Sequence, residues 1–147
     1  MRIAFFVNET HAEQPGYTTT RLAQTATNRG HEVWYIGAAD FAYGADNHVH
    51  AYARKAPKRR YDAHEAYLAD LLSPRGIREH ISVDDLDVLM LRNDPSTDTG
   101  YRAWAQTAGI TFGRAAARHG VVVLNDPRGL LKAMNKMYFQ LFPEEVR

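Results

Sequence analysis

Short apolar runs alternate along the chain with longer amphipathic stretches, and their order predicts the arrangement of strands and helices. Residues 3–7 (IAFFV) are continuously apolar, as in a strand covered on both faces of a parallel sheet. A polar loop follows, and a helical pattern over 18–28 places Leu22, Ala23 and Ala26 on one face. The run HEVWYIG, rich in β-branched and aromatic residues, predicts a second strand. This β-α-β opening is the unit that builds parallel sheets with right-handed crossovers.

The middle of the chain has a different pattern. The stretch DFAYGADNHVHAYARK alternates around Gly44 and Asn47, which predicts a hairpin. The stretch AHEAYLADLL predicts a short helix that ends at Ser73-Pro74, with a strand as the alternative. The residues that follow are interpreted as a Gly- and Arg-rich connection.

The last third returns to alternating strands and helices. The stretch DDLDVLMLR predicts a third core strand, and VVVLN predicts a fourth. Between them, residues 98–120 predict a long helix that ends at Gly120, and one or two closing helices follow from residue 126. We therefore predict the α/β class, with a mainly parallel sheet flanked by helices and an inserted hairpin.

Composition and charge narrow the class of protein. The 147 residues are 45% apolar and 24% charged with a net charge of +1, as in one ordinary globular domain, so nucleic acid is an unlikely partner. The chain contains no cysteine and no run of 18 apolar residues, which excludes disulfides and a transmembrane helix. The first apolar run is too short for a secretory signal, so we expect no membrane partner and a cytoplasmic setting.

Both late core strands stop at the same tripeptide, Asn-Asp-Pro. Proline has no amide hydrogen and suits the first turn of a helix, while Asp94 and Asp126 suit the capping position before it. Helix capping alone accounts for both stops. The alternative is a ligand site, because ligands of open parallel sheets bind outside the carboxyl ends of the strands.

Polar residues that follow the core strands are the candidate ligand contacts. The guanidinium of Arg92 has the planar shape that pairs with a carboxylate or phosphate. The chain has neither G-x-G-x-x-G after its first strand nor a Walker A loop, and we predict no catalytic acid or base and no metal ligand. The predicted substrate-binding residues are Arg92, Asn93 and Asp94 first, then Asn8 and Thr18, with Arg128 as a weaker candidate.

These motifs resemble the N-terminal domain of bacterial glutathione synthetase. The stretch LMLRNDPSTD is similar to that family's Met-Arg-Lys-Asp-Pro-Pro-Phe-Asp, and VVVLNDPRGLLKAMNKMYFQLFPE is similar to its Val-Asn-Asp-Pro run leading to Phe-Pro-Glu. RIAFFVNE and NRGHEVWYIGAADF match its opening elements. The resemblance implies a Rossmann-like pre-ATP-grasp domain. It also implies ATP- and Mg²⁺-dependent ligation of a carboxylate to an amine through an acyl phosphate.

The resemblance implies a division of labour between this chain and another portion. We expect a single pre-ATP-grasp domain over 1–147, incomplete as a catalyst alone, with no cofactor of its own. ATP and Mg²⁺ would be held by an ATP-grasp portion, absent here, in the same or a separate chain. The substrate class implied is a small peptide or amino-acid-like molecule. The family's two lysines before the first helix are replaced around Gly16–Thr19, and Asn93 replaces another lysine, which favours a related acceptor over that of glutathione synthesis.

Three further features carry alternatives. The basic run ARKAPKRR is interpreted mainly as a solvated loop, although with Tyr52 and Tyr61 nearby it could bind RNA or an acidic partner. His48 and His50 lie on one face of a predicted strand but lack a third metal ligand nearby in sequence. The last helix carries an apolar face that predicts a homodimer. The rival function is therefore a non-enzymatic interaction module that binds a partner protein or RNA through this helix or the basic loop.

Overall fold

The structure, a computed structural model, describes residues 1–146 and contains one mixed sheet with helices on both of its faces. Within those residues the strands are β1 (Arg2–Val7), β2 (Glu32–Gly37), β3 (Phe41–Tyr43), β4 (Val49–Lys55), β5 (Ile77–Ser82), β6 (Val88–Leu91) and β7 (Val122–Leu124). The α-helices are α1 (Thr18–Asn28), α2 (His64–Leu72), α3 (Ala108–Arg118) and α4 (Pro127–Ala133). The predicted Rossmann-like α/β class, with a mainly parallel sheet and an inserted hairpin, is confirmed.

The parallel core has the order β2-β1-β6-β7, and its register is continuous. Phe6 of β1 lies beside Ile36 of β2 on one side and Leu91 of β6 on the other. Strand β6 in turn pairs with β7, with Met90 beside Leu124. Three antiparallel strands extend this core: β4 pairs with β2 and β3 along one edge and with β5 along the other.

The core is split into two layers by the sheet, and β1 shows why its sequence is continuously apolar. Phe5 and Val7 pack on the face covered by α1 and α2, while Ala4 and Phe6 pack on the face covered by α3. All four side chains are at most 1% exposed. A strand covered on both faces has no position left for a polar side chain.

Helix α1 has the predicted bounds, and two residues of its predicted apolar face, Ala23 and Ala26, pack against the core. Leu22 is 41% exposed, so this part of the prediction was wrong. Thr20 and Thr27 are buried as well, and their hydroxyls donate to the backbone oxygens of Gln14 and Ala23. Threonine is tolerated on this buried face because each hydroxyl has an internal acceptor.

Two segments differ from the sequence prediction. The supposed connection after α2 contains strand β5, which pairs with β4 from Ile77 to Ser82. The predicted long helix begins instead as a 3-10 helix, Gly100–Thr107, and becomes α-helical only at α3. In this 3-10 segment Trp104 is 54% exposed. The helix prediction for α2 is confirmed over the strand alternative. In the described part of the chain, every helix is too short or too polar to cross a bilayer.

Candidate functional site

The carboxyl ends of the parallel strands form one shared edge, which we call the rim. Because β1, β6 and β7 run parallel and in adjacent positions, the segments after Val7, Leu91 and Leu124 all leave the sheet on the same side. The two Asn-Asp-Pro turns, which follow the neighbouring strands β6 and β7, therefore lie at one edge of the sheet.

Both aspartates of these turns act as caps. The carboxylate of Asp126 accepts hydrogen bonds from the backbone amides of Arg128 and Gly129, 3.1 Å each, at the start of α4. Asp94 Oδ1 accepts from the hydroxyl and the amide of Ser96, at 2.6 and 2.9 Å. The Ser96 hydrogen bonds hold the pKa of Asp94 below its usual value. The capping interpretation of both stops is therefore confirmed.

A cavity of about 400 Å³ lies at the rim between α3 and α4, and we call it the α3–α4 cavity. Its walls are mostly apolar, with Ile110 on α3 and Leu130 and Met134 on the α4 side. Four polar side chains also line it: Arg92, Asn93, Gln106 and Asn125. Apolar walls with a few polar groups are typical of small-molecule sites.

The amides of Asn93 and Asn125 are available to a ligand in this cavity. Neither side chain hydrogen-bonds to any other group within residues 1–146. Gly109 at the start of α3 lets the helix approach closely, because a Cβ there would lie 2.6 Å from the ring of Phe6 and 3.0 Å from Asn93 Oδ1. The sheet and α3 thus fix the position of Asn93.

A second, more polar cavity of about 580 Å³ lies on the other side of the rim, and we call it the α1 cavity. It is lined by the segment after β1, the first turn of α1 and the segment after β6. Its members include four of the predicted residues: Asn8, Thr18, Arg92 and Asp94. Thr18 is the first residue of α1 and is exposed, so the amino end of that helix faces this cavity.

Arg92 is the residue that lines both cavities. Its backbone amide donates to the oxygen of Phe6 at 2.8 Å, which extends the pairing of β1 and β6 and fixes the main chain. Within residues 1–146 its guanidinium makes one hydrogen bond, a long contact of 3.4 Å with the hydroxyl of Thr19. Among the described residues no carboxylate lies within 4.0 Å of that guanidinium. Burial raises the pKa of Glu13, and the positive charge of Arg92 opposes this rise.

A partly buried ionic network supports the rim and was not predicted from the sequence. Arg102 lies in the 3-10 helix before α3, and it pairs with Asp98 (Nε to Oδ1, 2.9 Å) and with Glu9 (2.6 Å). It also donates to the backbone oxygen of Asn8 at 3.1 Å. Asp98 is 1% exposed. The i, i+4 spacing of Asp98 and Arg102 was the available signal, but such pairs usually lie on helix surfaces.

Asn8 belongs to this network, and its side chain is fully engaged. Its Nδ2 donates to Asp98 Oδ2 at 2.7 Å and to the backbone oxygen of Asp94 at 2.8 Å, and its Oδ1 accepts from the amide of Asp94 at 2.7 Å. Asn8 thus joins the end of β1 to the turn after β6. Arg128 is exposed in the first turn of α4 and lines neither cavity. The binding roles of all six predicted residues stay predictions.

The other predicted features lie away from the rim. His48 contacts Asp84, whereas His50 contacts Asp46, so the two histidines face different acidic partners. In the basic loop, Lys58 pairs with the buried Asp70 at 3.1 Å, which gives this lysine a structural contact.

Comparison with known proteins adds two similarities. The family described as prokaryotic glutathione synthetase, N-terminal domain, matches residues 1–130. A glutathione synthetase of Gloeobacter violaceus is 26% identical over an alignment of 151 positions, gaps included. The alignment covers 99% of this chain and 43% of the relative. This chain therefore spans less than half the length of that relative.

Proposed function

The chain belongs to the family of prokaryotic glutathione synthetase N-terminal domains, and we propose that its rim binds a substrate of a glutathione synthetase-like ligase. The observation that carries this proposal is Arg92, which lines both rim cavities and whose guanidinium has no carboxylate within 4.0 Å among the described residues, since Glu13 acts on it only from farther away. A guanidinium in such a place is available to a ligand carboxylate, which it can hold through two parallel hydrogen bonds.

The cavity walls favour a peptide-like or amino-acid-like ligand. The free amides of Asn93 and Asn125 can each donate to and accept from a peptide or amide group. Ile110, Leu130 and Met134 offer apolar surface beside them. A small carboxylate with amide groups and a short apolar portion fits this combination of contacts.

The reaction we propose for the complete enzyme is the ATP- and Mg²⁺-dependent joining of a carboxylate to an amine. Phosphoryl transfer depends on several positioned cations and a metal ion. Arg92 is the single cation among the described residues that line the two rim cavities. We therefore assign ATP and Mg²⁺ to an ATP-grasp portion, and we assign substrate positioning in a cytoplasmic enzyme to this domain.

A second candidate function is docking, and it is favoured by exposed apolar side chains at and after α4. Leu131, Met137, Phe139 and Leu141 are between 47% and 78% exposed. This is a large exposure for apolar residues that lie so near one another in sequence. The proposed occupant is the ATP-grasp portion, and a second copy of the chain is the alternative. Light scattering distinguishes them, because a strictly monomeric chain contradicts the homodimer.

Isothermal titration of the 147-residue chain with glutathione tests the proposed site, with glutathione as a probe of the peptide-carboxylate class and not as the identified substrate. We expect saturable binding that Arg92→Ala weakens by at least tenfold and Arg92→Lys weakens less, because lysine keeps the charge but loses the second hydrogen bond. Arg21→Ala, an exposed arginine on α1 outside both cavities, is the matched control and should bind like the parent chain. Equal binding by the parent chain and Arg92→Ala would contradict the proposal.

A titration with ATP and Mg²⁺ tests the assigned division of labour. We expect no saturable binding by this chain alone, and activity only when an ATP-grasp portion is supplied. Tight nucleotide binding by the 147 residues would contradict the assignment of ATP to another portion.

A further inference from the structure

A cluster of two histidines and one aspartate lies at the edge of the sheet opposite the rim. His48 directly precedes β4, Asp84 lies in the 3-10 turn Val83–Asp85 before β6, and His119 directly follows α3. The turn precedes β6 and His119 precedes β7, so the cluster lies at the amino ends of these strands, whereas the rim lies at their carboxyl ends.

The donor atoms of this cluster converge on one carboxylate. Asp84 Oδ2 lies 2.8 Å from His48 Nδ1 and 3.6 Å from His119 Nδ1. One donor atom from each of the three residues lies within 4.8 Å of the other two. In a tetrahedral zinc site, metal–ligand distances near 2.0–2.1 Å place neighbouring donor atoms about 3.4 Å apart. Starting from the widest separation of 4.8 Å, a shift of at most about 1.4 Å brings these donors to metal-binding distances.

Asp84 is buried more deeply than a surface partner of a histidine needs to be. Its side chain is 8% exposed, and its Oδ1 has no hydrogen-bond partner among the described residues. Oδ2 already accepts from the amide of Val49 at 3.2 Å as well as from His48. A structural hydrogen bond between His48 and Asp84 accounts for the position of His48. It accounts neither for the imidazole of His119 beside the same carboxylate nor for the unpartnered Oδ1 of Asp84. A buried carboxylate that has an unpartnered oxygen is stabilised by a bound cation.

We propose that His48, Asp84 and His119 bind one divalent transition-metal ion, with Zn²⁺ as the best match. Imidazole nitrogen and carboxylate oxygen are among the usual ligands of zinc, and three protein ligands leave a fourth position for water. The His48 and His119 side chains are 48% and 34% exposed, so the ion enters directly from solvent. On binding, each imidazole presents an unprotonated Nδ1 to the ion and carries its proton on Nε2.

The bound ion would join three segments that are distant in sequence. It connects the turn of the β3–β4 hairpin, the β5–β6 connection and the end of α3. A metal ion that binds the folded chain and not the unfolded chain stabilises the folded state by mass action. The site is thus a structural clamp on the edge of the domain away from the proposed substrate.

A nearby pair of histidines provides a stringent control. His50 and His80 stack with ring centroids 5.2 Å apart, and His50 also contacts Asp46 at 2.9 Å. His80 is exposed on β5, so His80→Asn removes an accessible imidazole without touching the proposed ligands. It tests whether any bound metal is merely held by surface histidines.

The experiment is isothermal titration of the 147-residue chain with ZnCl₂, together with thermal unfolding with and without the metal. We expect one Zn²⁺ per chain and a higher Tm in its presence. His119→Asn and Asp84→Asn should each weaken binding by at least about tenfold, since loss of even an outer-shell partner costs about 10–100-fold in affinity. His80→Asn should bind like the parent chain.

Several outcomes would overturn the proposal. These are the absence of saturable binding at millimolar Zn²⁺, unchanged affinity in His119→Asn, and loss of binding in His80→Asn. His119 is on the surface, so its variant should retain the circular dichroism of the parent chain. It therefore keeps the test decisive even if Asp84→Asn, at a buried position, fails to fold.

Discussion

Replacing Arg102 with methionine tests how the rim is held together. The buried carboxylate of Asp98 accepts from Arg102 Nε at 2.9 Å and from Asn8 Nδ2 at 2.7 Å. Methionine keeps much of the length and apolar bulk of the arginine side chain but removes its charge and donors. In this variant Asp98 keeps only the side-chain hydrogen bond from Asn8, at a position that is 1% exposed.

The expected cost follows from this burial. Removing one partner of a buried ion pair costs about 3–5 kcal/mol. We expect the lower end, about 3 kcal/mol, because Asn8 still donates to the carboxylate and the Arg102 side chain is 18% exposed, which admits some water. Asp98→Asn should cost about 2 kcal/mol, since its amide nitrogen must face a donor, either Asn8 or Arg102, whichever way it is turned.

The double variant separates the pair interaction from the single effects. With methionine at position 102, the new asparagine at 98 can turn its oxygen to Asn8 and its nitrogen away. The double variant should therefore lose less than the sum of the single variants, by about 1–3 kcal/mol. Urea denaturation followed by circular dichroism measures all four free energies of unfolding. Arg114→Met, an exposed arginine on α3, is the matched control.

Two results would refute this reasoning. One is a loss below about 1 kcal/mol for Arg102→Met, which is the range of ordinary surface substitutions. The other is strict additivity of the two single variants, because independent sites add while contacting residues do not.

Three further predictions concern the fold around the rim. Gly109→Ala should lower the free energy of unfolding, measured by urea denaturation, by about 1–3 kcal/mol, because its Cβ would lie 2.6 Å from the buried ring of Phe6. Gly129→Ala is the control: its Cβ would make only ordinary contacts, so the substitution should be neutral or stabilising. Glu13→Gln should raise Tm at neutral pH. Burial raises the pKa of Glu13, so its charged form lowers the stability of the folded chain above that pKa. The increase in Tm should vanish below pH 4.5, where Glu13 is protonated in the folded and the unfolded chain alike. Asp126→Ala should cost about 1 kcal/mol and Asp126→Asn less, measured by thermal unfolding, because asparagine retains one capping oxygen.

The elements predicted best from the sequence are those whose environment is uniform along their length. Strands β1 and β2 are covered on both faces, so apolar continuity alone indicates them. Strand β5 gives no such signal, since Arg78, Glu79 and His80 are all exposed and its order comes from pairing with β4. A pairing of this kind depends on residues about thirty positions away, which a local pattern does not contain.

In the candidate site, the positions that follow from sheet topology were predictable from the sequence, whereas the long-range side-chain contacts were not. The position of Arg92 follows from a parallel strand ending at the carboxyl edge, and this was predictable. The role of Arg102 was not, because its acceptor at Asn8 is 94 residues away and its carboxylate partner Asp98 looks like a surface residue in the sequence. Long-range hydrogen bonds of this kind become visible only when β1 and the segment after β6 are brought together.

The repeated Asn-Asp-Pro turns assign different tasks to their residues. Asp126 uses both carboxylate oxygens to cap α4, and Asp94 uses one oxygen to hold the turn after β6, so each aspartate is committed to local structure. The asparagine before each aspartate makes no side-chain hydrogen bond within residues 1–146, and Asn93 and Asn125 both line the α3–α4 cavity. Because the two turns leave parallel neighbouring strands, the caps orient two free amides toward one space. The residues best placed to contact a ligand are therefore the asparagines together with Arg92, and the aspartates act by holding them there.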